Sequence, residues 1–382
     1  MKVMFVVTHL LGSGHLARAA TLGQAFVSAG HKVSIVTGGL PTPHLDTGDL
    51  EFKQLPALRS DGANFGRLLD SNGLLVDETY LARRRDALTS YLSSFKPDVL
   101  ITELFPFGRR MLSDEFLALL DTADTLDPRP VICVSIRDIL DPPSKPSRAE
   151  ETRERIEKYY DAILVHSDPK IVPLDRSWPL TPELSKKLHY TGFVARPAAG
   201  PHPKALGTNE IIVSAGGGNT GQEVYLSALD AARNCPAQTW RLLVGGSDVE
   251  QRCADLSRYA PVNAIVEPAR PDFRQMLHHA QVSVSMCGYN TTLDLLQAGV
   301  RAVCVPLDDG NEVEQTLRAE ALAELDGFEI LPSRKLSAES LLQAIRNVTD
   351  TPVRPPMKHG LRGSVHSVEI VENLSGERLH EG

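Results

Sequence analysis

Short runs of consecutive apolar residues mark the first half of the chain: Val3–Val7, Lys32–Val36, Asp98–Thr102, Val131–Ser135 and Ala162–Val165. They are apolar throughout and do not alternate with polar residues, which predicts parallel strands covered on both faces. Between the first two, Leu16–Ala29 sets Leu16, Ala19, Ala20, Leu22 and Phe26 near helical spacing, and Gly30 follows as a left-handed stop. The pattern breaks over Gly192–Gly207, where the Pro- and Gly-rich stretch from Arg196 to Pro203 sustains neither helix nor strand. It restarts with Ile211–Ser214, Arg241–Val244, Ala264–Val266, Val282–Ser285 and Ala302–Val305. The expectation is an α/β chain of two doubly wound, Rossmann-like domains facing each other across a cleft. The first domain spans residues 1–195, a linker 196–208 and the second domain 209–355. A tail, 356–382, carries a weakly helical segment, Val365–Leu374, expected to return to the first domain.

Length agrees with two cores, since 382 residues exceed what one comfortably fills. A net charge of −8 argues against a nucleic-acid partner, because no excess of Lys and Arg exists to neutralise phosphates. The local run Arg83-Arg84-Arg85 reads as a solvated helix face. The apolar run after Met1-Lys2 is too short for a signal peptide, and no apolar stretch of about 18 residues occurs, so a cytoplasmic location is expected. Five scattered cysteines with no Cys-x-x-Cys pair read as buried small residues in a reducing compartment.

In doubly wound sheets ligands sit beyond the carboxyl ends of the strands, so the loops there are the candidates for chemistry. Gly12-Ser13-Gly14-His15 follows the first strand and opens a helix. Glycines admit close backbone approach and a helix N-terminus attracts anions, although a purely structural turn explains the glycines equally. His15 at that mouth is a candidate base or substrate contact. Ser214–Gly221 follows the first strand of the second domain, and Gly216, Gly217, Gly218 and Asn219 suit a bed for phosphate oxygens. In Ser285–Asp294, Gly288 ends a strand and a helix is expected from Asn290 or Thr291 with capping-type residues. Its free N–H groups, with Tyr289, Thr291 and Thr292, suit a diphosphate. Asp294, one turn in, is placed to reach a ribose diol or simply to complement the helix dipole. Pro306–Gln315 supplies acceptor-bearing side chains suited to sugar hydroxyls.

Taken in order, Gly288, Thr291-Thr292-Leu293-Asp294, Ala298-Gly299, Val303-Cys304-Val305-Pro306 and Glu314-Gln315 resemble the donor signature of GT-B glycosyltransferases. The likeness is greatest to the MurG-type (glycosyltransferase family 28) N-acetylglucosaminyltransferases, and Gly12–His15 is similar to that family's N-terminal glycine loop. The resemblance implies that Gly216–Asn219 and Gly288–Thr292 hold the diphosphate, Asp294 the ribose and Glu314-Gln315 the sugar. The backbone of Ala269 and Arg270 would frame the base. Asp294 replaces the family's usual Glu, Arg301 stands where a Pro is usual, and Glu314 replaces a Gln or His.

A transfer needs a base for the acceptor proton and groups that stabilise the departing diphosphate. His15 is the expected base, with Glu103 or Asp138 orienting it or acting instead, unless those carboxylates are bound in salt bridges to Arg109, Arg110 or Arg137. The expected partners are a nucleotide-sugar donor, with uridine as the base, and a small-molecule or lipid-linked acceptor. Leu104-Phe105-Pro106-Phe107 with Arg109-Arg110 is a candidate for peripheral membrane contact, or else buried core. No Asp-x-Asp motif occurs, so no divalent metal and no cofactor beyond the nucleotide-sugar co-substrate is expected. A nucleotide-sugar hydrolase, a 2-epimerase and a non-catalytic binding module remain as alternatives, and the oligomeric state is not encoded in any of these motifs.

Overall fold

In a computed structural model of the chain the apolar runs form two parallel sheets, one in each of two units: residues 1–194 with 362–382, and residues 195–361. The structure describes all residues except 11–13, 43–47, 49, 61–66, 217–219, 247, 308–312 and 382, with the backbone alone for 378–381.

The first unit runs β1 (Lys2–Val7), α1 (Gly14–Ser28), β2 (Lys32–Thr37) and β3 (Glu51–Gln54), then a short antiparallel ribbon, β4 (Arg59–Ser60) and β5 (Leu68–Leu69). It continues through α2 (Glu78–Phe95), β6 (Val99–Glu103), α3 (Ser113–Asp124), β7 (Val131–Arg137), α4 (Pro146–Tyr159), β8 (Ala162–His166), α5 (Pro182–Lys187) and β9 (Leu188–Tyr190). The strands bond in the order β3-β2-β1-β6-β7-β8-β9. Alternate side chains of β1 enter opposite faces, which is why the run is apolar throughout. Met4 and Val6 pack with Leu88 of α2 and Leu119 of α3, while Val3, Phe5 and Val7 pack with Phe26 of α1. The second face is closed by Val368 and Val371 of the last helix, residues Gly363–Glu381, which lies along α1.

The second unit contains β10 (Glu210–Ser214), α6 (Gln222–Asn234), β11 (Thr239–Val244), α7 (Val249–Ser257), β12 (Ala264–Pro268), α8 (Phe273–Met276) and β13 (Val282–Ser285). After these come α9 (Tyr289–Ala298), β14 (Ala302–Cys304), α10 (Glu314–Leu322), β15 (Phe328–Ile330) and α11 (Ala338–Thr349), leaving the closing helix as α12. Its order is β12-β11-β10-β13-β14-β15. In both sheets the order reverses at the first strand, between β1 and β6 and between β10 and β13. That reversal opens a crevice at the carboxyl ends, where ligands of such sheets bind.

Several expectations change. The stretch 196–208, expected as a linker, is hydrogen-bonded into the second unit: His202 N donates to Gln275 O and its ring lies 3.2 Å from Asp272. The strands expected to end at Thr102 and Ser135 run on, so that Glu103 and Arg137 are the last residues of β6 and β7. Helix α9 starts at Tyr289 with Gly288 as its cap and no capping side chain, so Asn290 and Thr291 lie inside it. Short edge strands β3, β9 and β15 escaped notice because each has only three or four residues with mixed polarity. Phe105 and Phe107 are buried in the first core, which excludes them from a membrane patch, and no described helix is long and apolar enough to span a membrane.

Arg84, expected on a solvated face, is fully buried. Its Nε and Nη2 each lie 2.9 Å from a Glu115 oxygen, and Nη1 donates to Gly38 O at 3.1 Å and to Pro56 O. One arginine thus ties α2, α3 and the turn after β2 together. Removing one partner of such a pair strands the other charge in the core. Glu115→Ala should lower the unfolding free energy by about 3–5 kcal/mol in urea titration, whereas Arg84→Met combined with Glu115→Leu should cost much less.

Candidate active site

At the reversal point of the first unit, α1 follows β1 and presents His15 and Arg18 three residues apart, hence on one helix face. Both reach Glu103 at the end of β6. His15 Nδ1 is 3.0 Å from Oε1, and Arg18 Nη2 donates to the same oxygen. The other oxygen accepts from Ser135 Oγ at 2.6 Å, across the β6–β7 register pair Glu103–Ser135. Burial alone would push the Glu103 carboxyl up, but the Arg18 charge and the bonds from His15 and Ser135 outweigh it and hold it well below the usual carboxylate range. An ionised carboxylate only accepts, so His15 Nδ1 carries the proton and Nε2 keeps the lone pair. Nε2 has no partner among the described residues.

Burial pushes the His15 imidazole down to about 4, with the Arg18 charge adding to the effect against the raising influence of Glu103. Beneath the group, His166 joins Ser135 Oγ and Thr191 Oγ1, each at 2.9 Å, and burial pushes it down to about 3. Sequence reading did not single out His166, because a His inside an apolar strand gives no signal of where it points. Asp138 is fully buried and its Oδ1 accepts from Ile139 N at 2.9 Å; it is not a hydrogen-bond partner of His15. Gly12 and Ser13 lie outside the described residues.

At the reversal point of the second unit, a cavity of about 250 Å³ lies beyond β10, β13 and β14, lined by Thr220, Gly221, Met286, Val305 and Pro306 among others. Gly221 is glycine of necessity, since its φ is 80° and a Cβ would stand 2.3 Å from that of Ala215. Gly216 also has left-handed backbone (φ 79°), while Gly217, Gly218 and Asn219 lie outside the described residues. A Cβ at Gly288 would meet nothing within 4 Å, so packing does not require glycine there. No side chain caps α9 at Gly288 among the described residues, and this start of the helix is the positive end of its dipole.

The loop between β13 and α9 is braced from α10. Gln315 Oε1 accepts from Cys287 N at 3.0 Å and from Leu307 N at 3.2 Å, which turns its amide NH₂ away from both. Buried Arg318 donates to Cys287 O at 2.9 Å and to Glu314 Oε1 at 2.7 Å, and stacks at 5.7 Å from the Tyr289 ring centroid. Arg318 was missed because it carries no motif, and its role exists only through the spacing of two loops. Thr292 is buried against Cys287, and Asn290 is exposed. Ala269 N donates to Val244 O at 2.8 Å, and Arg270 is paired with Asp272, whose carboxyl that contact lowers to about 2. Asp294 accepts from Arg274 Nε at 2.8 Å and from Arg196 Nη2 at 3.1 Å. Burial nevertheless raises its carboxyl above the ordinary value, against both arginines.

The depressed imidazoles fix how acid acts on the first unit. Between pH 6.5 and about 4 the unfolded chain binds a proton at His15 that the folded chain refuses. Stability is therefore lost as pH falls through that window and is regained as pH rises. Urea midpoints from pH 7 to 4.5 should fall steadily, and His15→Gln should flatten part of the slope; an unchanged slope would contradict the assignment.

Residues 212–365 match the glycosyltransferase family 28 C-terminal domain. The UDP-N-acetylglucosamine–N-acetylmuramyl-(pentapeptide) pyrophosphoryl-undecaprenol N-acetylglucosamine transferase of Polynucleobacter asymbioticus is 26% identical over 107 residues, 28% of this chain and 29% of that protein. The protein of the same name from Methylococcus capsulatus is 29% identical over 105 residues, 28% of this chain and 30% of that protein. The chain thus matches these relatives over less than a third of their length. MurG of Acinetobacter baumannii superposes with a TM-score of 0.63 at 15% identity, covering 97% of this chain and 99% of that one. The spinosyn rhamnosyltransferase SpnG complexed with thymidine diphosphate superposes at 0.60 and 17% identity, covering 100% of both chains. The chain has the GT-B fold of these glycosyltransferases, and its second unit carries the similarity to the family 28 C-terminal domain.

Proposed function

We propose that this chain transfers a sugar from a nucleoside diphosphate carrier, with uridine as the base, to a hydroxyl or amine of an acceptor bound by the first unit. The observation that carries the reading is the His15–Glu103 pair. A neutral imidazole, held through Nδ1 on a buried carboxylate with Nε2 open, is an oriented general base. Nε2 takes the acceptor proton as the acceptor oxygen or nitrogen bonds to the sugar's anomeric carbon and the bond from that carbon to the diphosphate breaks. The nucleoside diphosphate leaves with the electron pair, and Glu103 stabilises the imidazolium that results. Arg18 offsets part of that charge, so the base stays neutral throughout the physiological range.

In the second unit the N-terminus of α9, which no described side chain caps, and the left-handed backbone at Gly216 favour a diphosphate, and the Gln315 amide, its oxygen already used, keeps its NH₂ for a sugar hydroxyl. The acceptor is a small or lipid-linked molecule. We take the protein to be cytoplasmic and the reaction to run without a divalent ion, so that transfer should persist unchanged in EDTA.

His15→Ala should reduce transfer by about 10²–10⁴-fold. It should leave the thermal stabilisation by UDP intact, because that ligand belongs to the second unit. The pH–rate profile of the wild type should stay level below neutrality and fall only as pH approaches about 4, where His15 takes up its proton. An acid limb near 6.5 would refute a depressed base. Failure of any nucleotide sugar to bind or turn over would refute the transferase reading as a whole.

A further inference from the structure

Arg109 sits in the loop between β6 and α3 with left-handed backbone, φ 60° and ψ 31°, and Leu104 at the start of the same loop is also left-handed, φ 71°. Two non-glycine residues in that region of backbone space are a strained arrangement, of the kind that gathers at ligand sites. The loop is pinned by Leu104 N to Ser135 O at 2.9 Å and by Gly108 N to Leu104 O at 3.0 Å.

The side chain it presents is half-buried and fastened at one point only: Arg109 Nε donates to Thr8 O at 2.6 Å, at the carboxyl end of β1. Among the described residues its two terminal amino groups have no hydrogen-bond partner and no carboxylate within ion-pair reach. This is unlike the other buried arginines of the unit. Arg84 is bidentate on Glu115, and Arg18 is spent on Glu103. A partly desolvated guanidinium with an unused fork is costly to hold, and the fork matches a carboxylate or phosphate. Its position is set by β1, which leads into the glycine loop before His15, and by β6, which ends at Glu103.

We propose that Arg109 holds an anionic group, carboxylate or phosphate, of the acceptor, so that the transferred-to hydroxyl or amine is delivered to His15. This deepens the preceding reading and rests on it for the word acceptor; the anion site itself stands on the geometry of Arg109. Electrostatics gives the site a reporter. The Arg109 charge pushes down both His9 and His15, and burial lowers Arg109 itself to about 10. The charged groups acting on His15 are Glu103, which raises it, and Arg18 and Arg109, which lower it. An anion on the Arg109 fork cancels one lowering influence and raises His15.

The test is an NMR titration of His15 in the full-length protein labelled with ¹³C-histidine, its signal assigned with His15→Gln. It is run at fixed ionic strength with inorganic phosphate, acetate or UDP. Phosphate or acetate should raise the midpoint of the wild type by about one unit. Arg109→Lys should keep part of that rise and Arg109→Gln should lose it, with unshifted His166 signals reporting an intact unit. The stronger of phosphate and acetate identifies the acceptor's group. No rise in the wild type, or an equal rise in Arg109→Gln, would overturn the site. A rise with UDP alone would assign the anion to the donor and overturn the proposal equally. Stabilisation of the protein by UDP is measured separately; its absence would remove the transferase reading and leave the anion site standing.

Discussion

The first unit depends on keeping one carboxylate ionised where water scarcely reaches. Glu103 is 2% exposed, and an isolated charge there would be expelled or neutralised. Arg18, His15 and Ser135 supply the three bonds that prevent it, and they come from two elements: two from one face of α1, three residues apart, and one from β7. The arrangement locks α1 over the β1–β6 reversal and fixes the imidazole tautomer at once. Fold and imidazole orientation are therefore inseparable here, because the bonds that hold the helix down are the bonds that aim the imidazole.

The second unit solves a different problem with the same economy. A loop that leads into an uncapped helix start needs support from elsewhere, because an exposed loop drifts. The brace comes from α10, where Gln315 holds two loops by their N–H groups and Arg318 holds Cys287 by its carbonyl. One side chain fixes donors and the other an acceptor. The shape of the loop is thus set from behind, by side chains of α10.

What the sequence could show followed from physical range. Strand runs buried on both faces were legible, since uniform apolarity is a local signal, and β1, β6, β7 and β10 all emerged from it. The edge strands β3, β9 and β15 were not, because three or four residues of mixed polarity carry no such signature, although the edge strand β12 was legible from Ala264–Val266. Gly12–His15 and Ser285–Gln315 were legible as motifs, because glycines and capping positions act within a few residues. Arg18, Arg84, His166 and Arg318 were not. Each matters through a partner 25 or more residues away, or, for Arg318, through a loop 31 residues distant, and residue type alone does not reveal a long-range partner. Arg84 shows the limit plainly: three arginines in a row read as solvated, and the middle one turned inward to meet Glu115.

Asp294 is where motif and geometry pull apart, and the geometry says how they can be reconciled. The carboxylate is 8% exposed and both oxygens already accept from arginines, so a ribose diol cannot simply be added. The two arginines are not equivalent. Arg274 is 17% exposed and also bonds Gln297 Oε1 and Pro197 O, so it holds the 195–199 segment against α8 and α9. Arg196 is 60% exposed and its bond to Oδ2 competes with water. An exposed ion pair contributes little, about 0–1 kcal/mol, and is the one a ligand displaces at small cost. A ribose contact, if Asp294 makes one, therefore falls on Oδ2 at the expense of Arg196, while Oδ1 stays with Arg274. Shortening Glu to Asp is compatible with that division, since one oxygen is committed to scaffolding and only the other has to reach.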